Sequence, residues 1–257
     1  MSFQNFLDKD QLIVQRLDAG GDGGDSAHRF GAYIFAKSLL DEVDTDWETD
    51  LGDYYEHGLS LYTAPDGLLR RHPDTSRWYS RTDNFSRDQT RMILAAAYAM
   101  DDTDTAERVL GNLLKRCGWH YNVRPNYVKP GQDGWKWKIP DNIIPSQITM
   151  AIRTIENPIF YPVLYILDAF LLVDLALTAY ADRKDIKTDG SRTDAHTMLL
   201  CDIVSSVRTM PTFWSKLAGK IYKRMDYAGA LRYIFSQRRS YDPPLAEPLI
   251  AVANRYL

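Results

Sequence analysis

Three stretches of the chain carry residue types and spacings that could do chemistry. The first is Asp18-Ala-Gly-Gly-Asp22-Gly-Gly-Asp25-Ser26-Ala-His28-Arg29-Phe30-Gly31, a glycine-rich turn that feeds a helix. Glycine lets backbone approach a ligand closely, and the free amides of a helix N-terminus could bind an anion. Three aspartates at the entrance repel phosphate, however, and neither G-x-G-x-x-G spacing nor a Walker lysine is present, so no nucleotide site is indicated. Carboxylates would suit calcium, but the EF-hand spacing and its terminal glutamate are missing. In the plainer reading Asp25 and Ser26 cap the helix, Asp22 closes a turn and Arg29 pairs with an aspartate. In the functional one, His28 and Arg29 point toward the mouth of a cleft, with Asp25 or Asp22 as a proton donor if burial raises its pKa.

The second stretch is Arg70-Arg71-His72-Pro73-Asp74, then Trp78-Tyr79, then Asp83-Asn84-Phe85-Ser86-Arg87-Asp88-Gln89. Asp88 falls in a first helical turn, where the helix dipole favours its anion and suits it to act as base or nucleophile. Ser86 and Gln89 are accounted for by capping, and a plain ion pair would account for Arg87 and Asp88. The third stretch runs from Asp133 through Trp135-Lys136-Trp137-Lys138 to Asp141-Asn142. Alternating indoles and polar groups are what a sugar-stacking platform needs, because C–H faces lie on the rings while hydroxyls take the charged and amide groups. Its plainer reading is a loop pinned to the core by its aromatics.

Other chemistries find no pattern. His28, His57, His72, His120 and His196 make no H-x-H, H-E-x-x-H or cysteine pairing, so no zinc site and no other metal or cofactor is expected. There is no G-x-S-x-G elbow. Cys117 and Cys201 lack a CxxC partner and read as reduced thiols in helices.

The elements that must position these groups are helical. After residue 25 apolar residues recur at helical spacing, and strand-like alternation is scarce. The spacing predicts a helix capped by Asp25-Ser26 that carries Phe30, Ile34, Phe35, Leu39 and Leu40 and ends in the acidic run Asp41 to Asp46, and helices from about Trp47 to Leu61, after the S-x-x-Q box of Ser86 to Gln89, and from about Thr103 to Cys117. Ser146 should cap a short helix. Further helices are expected near Asp194–Thr209, Pro211–Met225, Asp226–Gln237 and Pro243–Tyr256, with Pro211 and Pro243 in first turns. Two long irregular loops interrupt them, Thr63 to Phe85 with room for one short hairpin, and Trp119 to Pro145 with its repeated prolines. The expectation is a single all-α domain over residues 1–257, built of antiparallel helix pairs in an incomplete α/α toroid whose loops edge a cleft.

One run, Phe160 to Tyr180, is long and apolar enough for a membrane span, yet it contains Asp168 and Asp174. Each costs roughly 2.5–3.5 kcal/mol at a bilayer centre, so the run is expected to be a buried central helix, with no membrane as partner. Met1 to Asp10 shows no basic region followed by an apolar run, so the location expected is cytoplasmic or within a virion. With 31 basic and 34 acidic residues, the net charge of -3 disfavours nucleic acid as a partner.

The combination Gly24-Asp25-Ser26-x-x-Arg29-x-Gly31, His72-Pro73 with Trp78, and Phe85-Ser86-Arg87-Asp88-Gln89 resembles a group of uncharacterised proteins from bacteria and their phages. The helix-pair layout more loosely resembles the α/α-toroid polysaccharide lyases and glycoside hydrolases. Two functions follow as expectations. One is an enzyme cleaving a glycosidic bond in an oligo- or polysaccharide, as hydrolase or lyase. Its catalytic groups would be Asp88, Asp25, Asp22 and His72, and its substrate contacts Arg29, His28, Trp78, Tyr79, Asp83, Arg87, Trp135, Trp137 and Asp141. The other is a non-catalytic structural or interaction protein, such as a phage particle component assembling into a larger particle. An open cleft holding unpaired Asp and Arg would favour the enzyme, and the same residues buried and paired among themselves would favour the structural role.

Overall fold

A computed structural model of the protein describes residues 26–40, 50–65, 67–76, 87–115, 145–183, 191–225 and 243–257. Their regular structure is helical: α1 (Ser26–Leu40), α2 (Leu51–Tyr62), α3 (Arg87–Ala99), α4 (Thr103–Lys115), α5 (Pro145–Ile155), α6 (Tyr161–Leu167), α7 (Ala169–Arg183), α8 (Ser191–Arg208), α9 (Phe213–Arg224) and α10 (Pro243–Tyr256). The expected all-α class is therefore correct for these residues. The helix expected at 226–237 lies outside them, as does the loop expected from Trp119 to Pro145 except for Pro145, which opens α5.

Local chemistry explains several boundaries. The Asp50 carboxylate accepts from the Gly52 N–H and starts α2. Asp102 accepts the Thr105 N–H at 2.9 Å at the start of α4, and its other oxygen takes the Tyr55 hydroxyl at 2.7 Å, so one cap also ties α2 to α4. Burial pushes the Asp102 carboxyl up, but those hydrogen bonds outweigh it and hold it below its ordinary value. Pro243 opens α10 as expected, whereas Pro211 precedes the helix it was assigned to. Thr212 takes the cap instead, because its hydroxyl accepts the Ser215 N–H while its own N–H donates to Ser215 Oγ. Between α2 and α3 the expected short hairpin is present as a bridge between Thr63 and Leu69, turned by Gly67 at φ 77°.

The closest helix pair is not joined by a short turn. Gly31 of α1 sits against the Met92 backbone of α3, and Ser38 Oγ donates to the Ala99 carbonyl at 2.7 Å, so the two helices run parallel in step. A side chain at Gly31 would enter the α3 backbone, and Ala27, Ala95 and Ala96 are likewise small and fully buried. The C-terminal ends of five helices meet. Tyr98 shares a hydrogen bond with Thr209, Arg153 Nε donates to the Thr209 carbonyl, Arg208 lies over the Tyr256 ring, and the Tyr256 hydroxyl donates to the Leu39 carbonyl. α1 packs on α3, α3 on α5, α5 on α8, α8 on α10 and α10 back on α1, while α8 also touches α3 and α1 directly.

The apolar run from Phe160 to Tyr180 is not a buried central helix. Only 22% of its most apolar window is buried, and α6 and α7 lie at the edge with Ile159, Ile166, Phe170, Val173 and Leu177 outward. One of its aspartates faces inward and the other, half-buried, leans toward an arginine. Asp168 is fully buried and holds Arg153 of α5 at 2.7 Å and the Thr212 hydroxyl at 2.6 Å, and Asp174 lies 3.6 Å from Arg91 of α3. Anchoring charges inside and apolar side chains outside reverse the expected orientation. Composition alone had suggested that the apolar residues would form the core.

Candidate functional site

The described parts of the first two sequence motifs meet at the N-terminal ends of α1 and α3, opposite the convergence at Thr209. The Ala27 N–H donates to the Arg71 carbonyl at 3.0 Å, which lays the Arg71-His72 segment across the start of α1. His28 and Arg29 lie in the first turn of α1, and Asp88 lies in the first turn of α3. The parallel register of these helices brings His28 within electrostatic reach of Asp88, Arg29 and Arg91. Two helix N-termini therefore point the same way at this end, and both favour negative charge there.

Among the described residues these groups are covered rather than open to solvent. His28 is 0% exposed and Arg29 2%, so neither points toward the mouth of a cleft as expected. Both occupy the core face of α1, whose residues are buried on all sides because α3, α8 and α10 surround it. Burial pulls the His28 imidazole down to about 4; Asp88 opposes that shift and Arg29 adds to it. His28 is accordingly neutral near pH 7. Asp88 is half-buried. His72 is buried as well, and its Nδ1 accepts the Asp74 N–H at 3.0 Å, so that nitrogen is engaged in holding its own loop.

Beneath these groups lies a layer of charge that the sequence reading missed. Arg91, one turn beyond Asp88, forms an ion pair with Asp202 of α8, and both are buried. His196 and Cys201 of α8 are fully buried, and burial pushes the Cys201 thiol up, away from thiolate chemistry. A second buried pair, Arg153 with Asp168, lies toward the Thr209 end. The available sequence signal was a charged residue on an otherwise apolar helix face, as in Gln147-Ile-Thr-Met-Ala-Ile-Arg153 and Met198-Leu-Leu-Cys-Asp202. Such a residue demands a partner from another helix, but its spacing does not name which one.

Of the other expected site residues, Asp22, Asp25, Trp78, Tyr79, Asp83, Trp135, Trp137 and Asp141 lie outside the described residues, as does the side chain of Arg87. A groove of about 600 Å³ runs between α2, the hairpin and α4, lined by Glu56, Ser60, Arg70, Thr75 and Arg108 among others. It contains none of His28, Arg29, His72 or Asp88. Among the described residues no group of three or more His, Cys, Asp or Glu side chains could hold a metal ion. Comparison with protein-family models, with curated proteins and with solved structures finds no match to this chain.

Proposed function

We propose that this protein is a non-catalytic structural or interaction protein, of the kind that assembles into a larger particle. The observation that carries this reading is the condition of the charged groups. His28, Arg29, Arg91 and Asp202 are buried, and Arg91 and Asp202 neutralise one another inside the helix packing. Buried ionic groups of this kind can serve to specify one packing over others. The finer architecture belongs to the same proposal. Five helices that run in one direction, each packed on the next, with other helices outside them, suit an incomplete α/α toroid whose middle α8 helps to fill.

A second reading rests on Asp88. It is half-buried, in a first helical turn, beside a histidine held neutral, which is an arrangement that could pass a proton during cleavage of a glycosidic bond. A panel of neutral and uronate oligosaccharides, tested for turnover and thermal stabilisation on wild type and Asp88→Asn, separates the two. The structural reading expects neither turnover nor stabilisation. Turnover that falls a hundredfold or more in Asp88→Asn, with folding intact, would overturn it in favour of the enzyme.

A further inference from the structure

The outward face of α6 and α7 has a pattern that packing among the described residues does not use. Of its exposed large apolar residues, Ile159, Val163, Ile166, Phe170, Val173, Leu177 and Tyr180 form one line, with the exposed rings of Tyr161 and Tyr165 beside it. Their separations alternate four, three, four, three, four, three, which is the spacing of a coiled-coil seam held for three heptads. The backbone stays helical through Asp168 between the two helices, so the seam is continuous from Val163 to Tyr180, and Ile159 stands on the 3-10 turn that leads into α6. Ala169 and Ala176 flank it and leave room for a second helix to approach. The two charged residues between 158 and 180, Asp168 and Asp174, are turned toward Arg153 and Arg91, so the seam itself carries no charge.

We infer that this seam is the contact between two copies of the chain, paired about a two-fold axis. Ile159 is 74% exposed, Ile166 67% and Leu177 60%. Together the seven seam residues leave bare the equivalent of about four whole side chains, on the order of 700 Å². That is above the ~300–600 Å² of the largest apolar patch on a typical monomer and close to the ~800 Å² per partner of a standard interface. A two-fold pair needs only this one patch, because the same surface serves on both copies. A lipid bilayer fits less well. It imposes no four-three register, and α7 packs along α9, whose exposed Lys216, Lys220 and Lys223 would have to enter hydrocarbon if the helix crossed. The inference goes beyond the proposed function and stands whether or not Asp88 is catalytic.

The test is light scattering on the full-length protein during size exclusion at about 50 µM, with wild type, the double variant Ile166→Glu/Val173→Glu, and flotation of wild type with anionic and neutral vesicles. Wild type should run at twice the chain mass of 29.5 kDa and should not float, and the double variant should run at the chain mass with an unchanged helical circular-dichroism spectrum. If the double variant does not fold, oxidation of Val173→Cys supplies the second reading, since a position on the seam should cross-link two copies. A monomeric wild type overturns the inference, whether the face is then found to bind vesicles or to be covered by another part of the same chain. So does a dimer that persists in the folded double variant, or that fails to cross-link through residue 173.

Discussion

Replacing Gly31 by alanine tests the parallel α1–α3 crossing on which the candidate site depends. An added Cβ would stand 2.2 Å from the Met92 carbonyl oxygen, 2.4 Å from its carbon and 2.9 Å from the Ile93 nitrogen. All three are backbone atoms inside α3, so no side chain can swing aside, and the two helices must separate. Over-packing of this kind costs about 1–3 kcal/mol and sometimes more. Intrinsic helix propensity acts in the opposite direction, because alanine is favoured over glycine by about 0.8–1 kcal/mol within a helix. The crossing is tight enough for the clash to prevail, with a net loss of about 2 kcal/mol, or about 4–8 °C in melting temperature for a domain of this size. Two other glycines calibrate the result. Gly111 of α4 has open space at its Cβ position, so Gly111→Ala should raise the melting temperature. Gly219 of α9 would meet a methyl of the stiff Val207 side chain at 3.1 Å, which must give by a few tenths of an ångström, and Gly219→Ala should fall between the other two. Thermal unfolding followed by circular dichroism ranks the three. A Gly31→Ala protein that melts at or above wild type would refute the close crossing, and with it the placement of His28 beside Asp88.

Two further outcomes follow from the buried charges. Arg153→Met strands the Asp168 carboxylate in the interior and should cost about 3–5 kcal/mol in urea titration, whereas Arg153→Met/Asp168→Leu should recover most of that; a double variant as unstable as the single would contradict the pairing. His28 is neutral in the folded protein down to about 4 and takes up a proton near 6.5 when unfolded, so its contribution is complete above about pH 6.5 and is lost as pH falls toward 4. That window is worth on the order of 3 kcal/mol, and stability measured from pH 7 to 4 should fall less steeply in His28→Gln than in wild type. Parallel pH profiles would mean that His28 is not held neutral by burial.

Much of the local structure was written in adjacent residues. The ends of α10 matched because Pro243 suits a first turn, and the hairpin near Gly67 followed from a turn-forming Pro65-Asp66-Gly67. Asp88 was placed in a first turn by the box that precedes it, and the structure keeps it there. These features depend on hydrogen bonds that span three or four residues, so neighbouring residues suffice to specify them. The Thr212 cap shows the limit: the sequence reading gave the helix start to Pro211, and only the reciprocal bonds with Ser215 place the cap at Thr212.

What lay beyond the sequence was which surface each helix turns to which partner. Arg153 and Asp168 are 15 residues apart, and Arg91 and Asp202 are 111 apart; nothing local makes either pair more favourable than its alternatives. His28 and Arg29 read as residues at a cleft mouth because polar groups near a helix start are usually solvated, and only the packing of α3, α8 and α10 around α1 made them interior. The same reasoning governs α6 and α7. Hydropathy established a long apolar helix with two aspartates, but the free energy of burying an aspartate depends on whether an arginine waits inside, and that is a property of the assembled fold. By itself, then, the sequence determined that the chain is helical and where many helices begin. The tertiary structure decided that their charges face inward and that the apolar seam of α6 and α7 faces out, because that balance is struck between residues far apart in the chain.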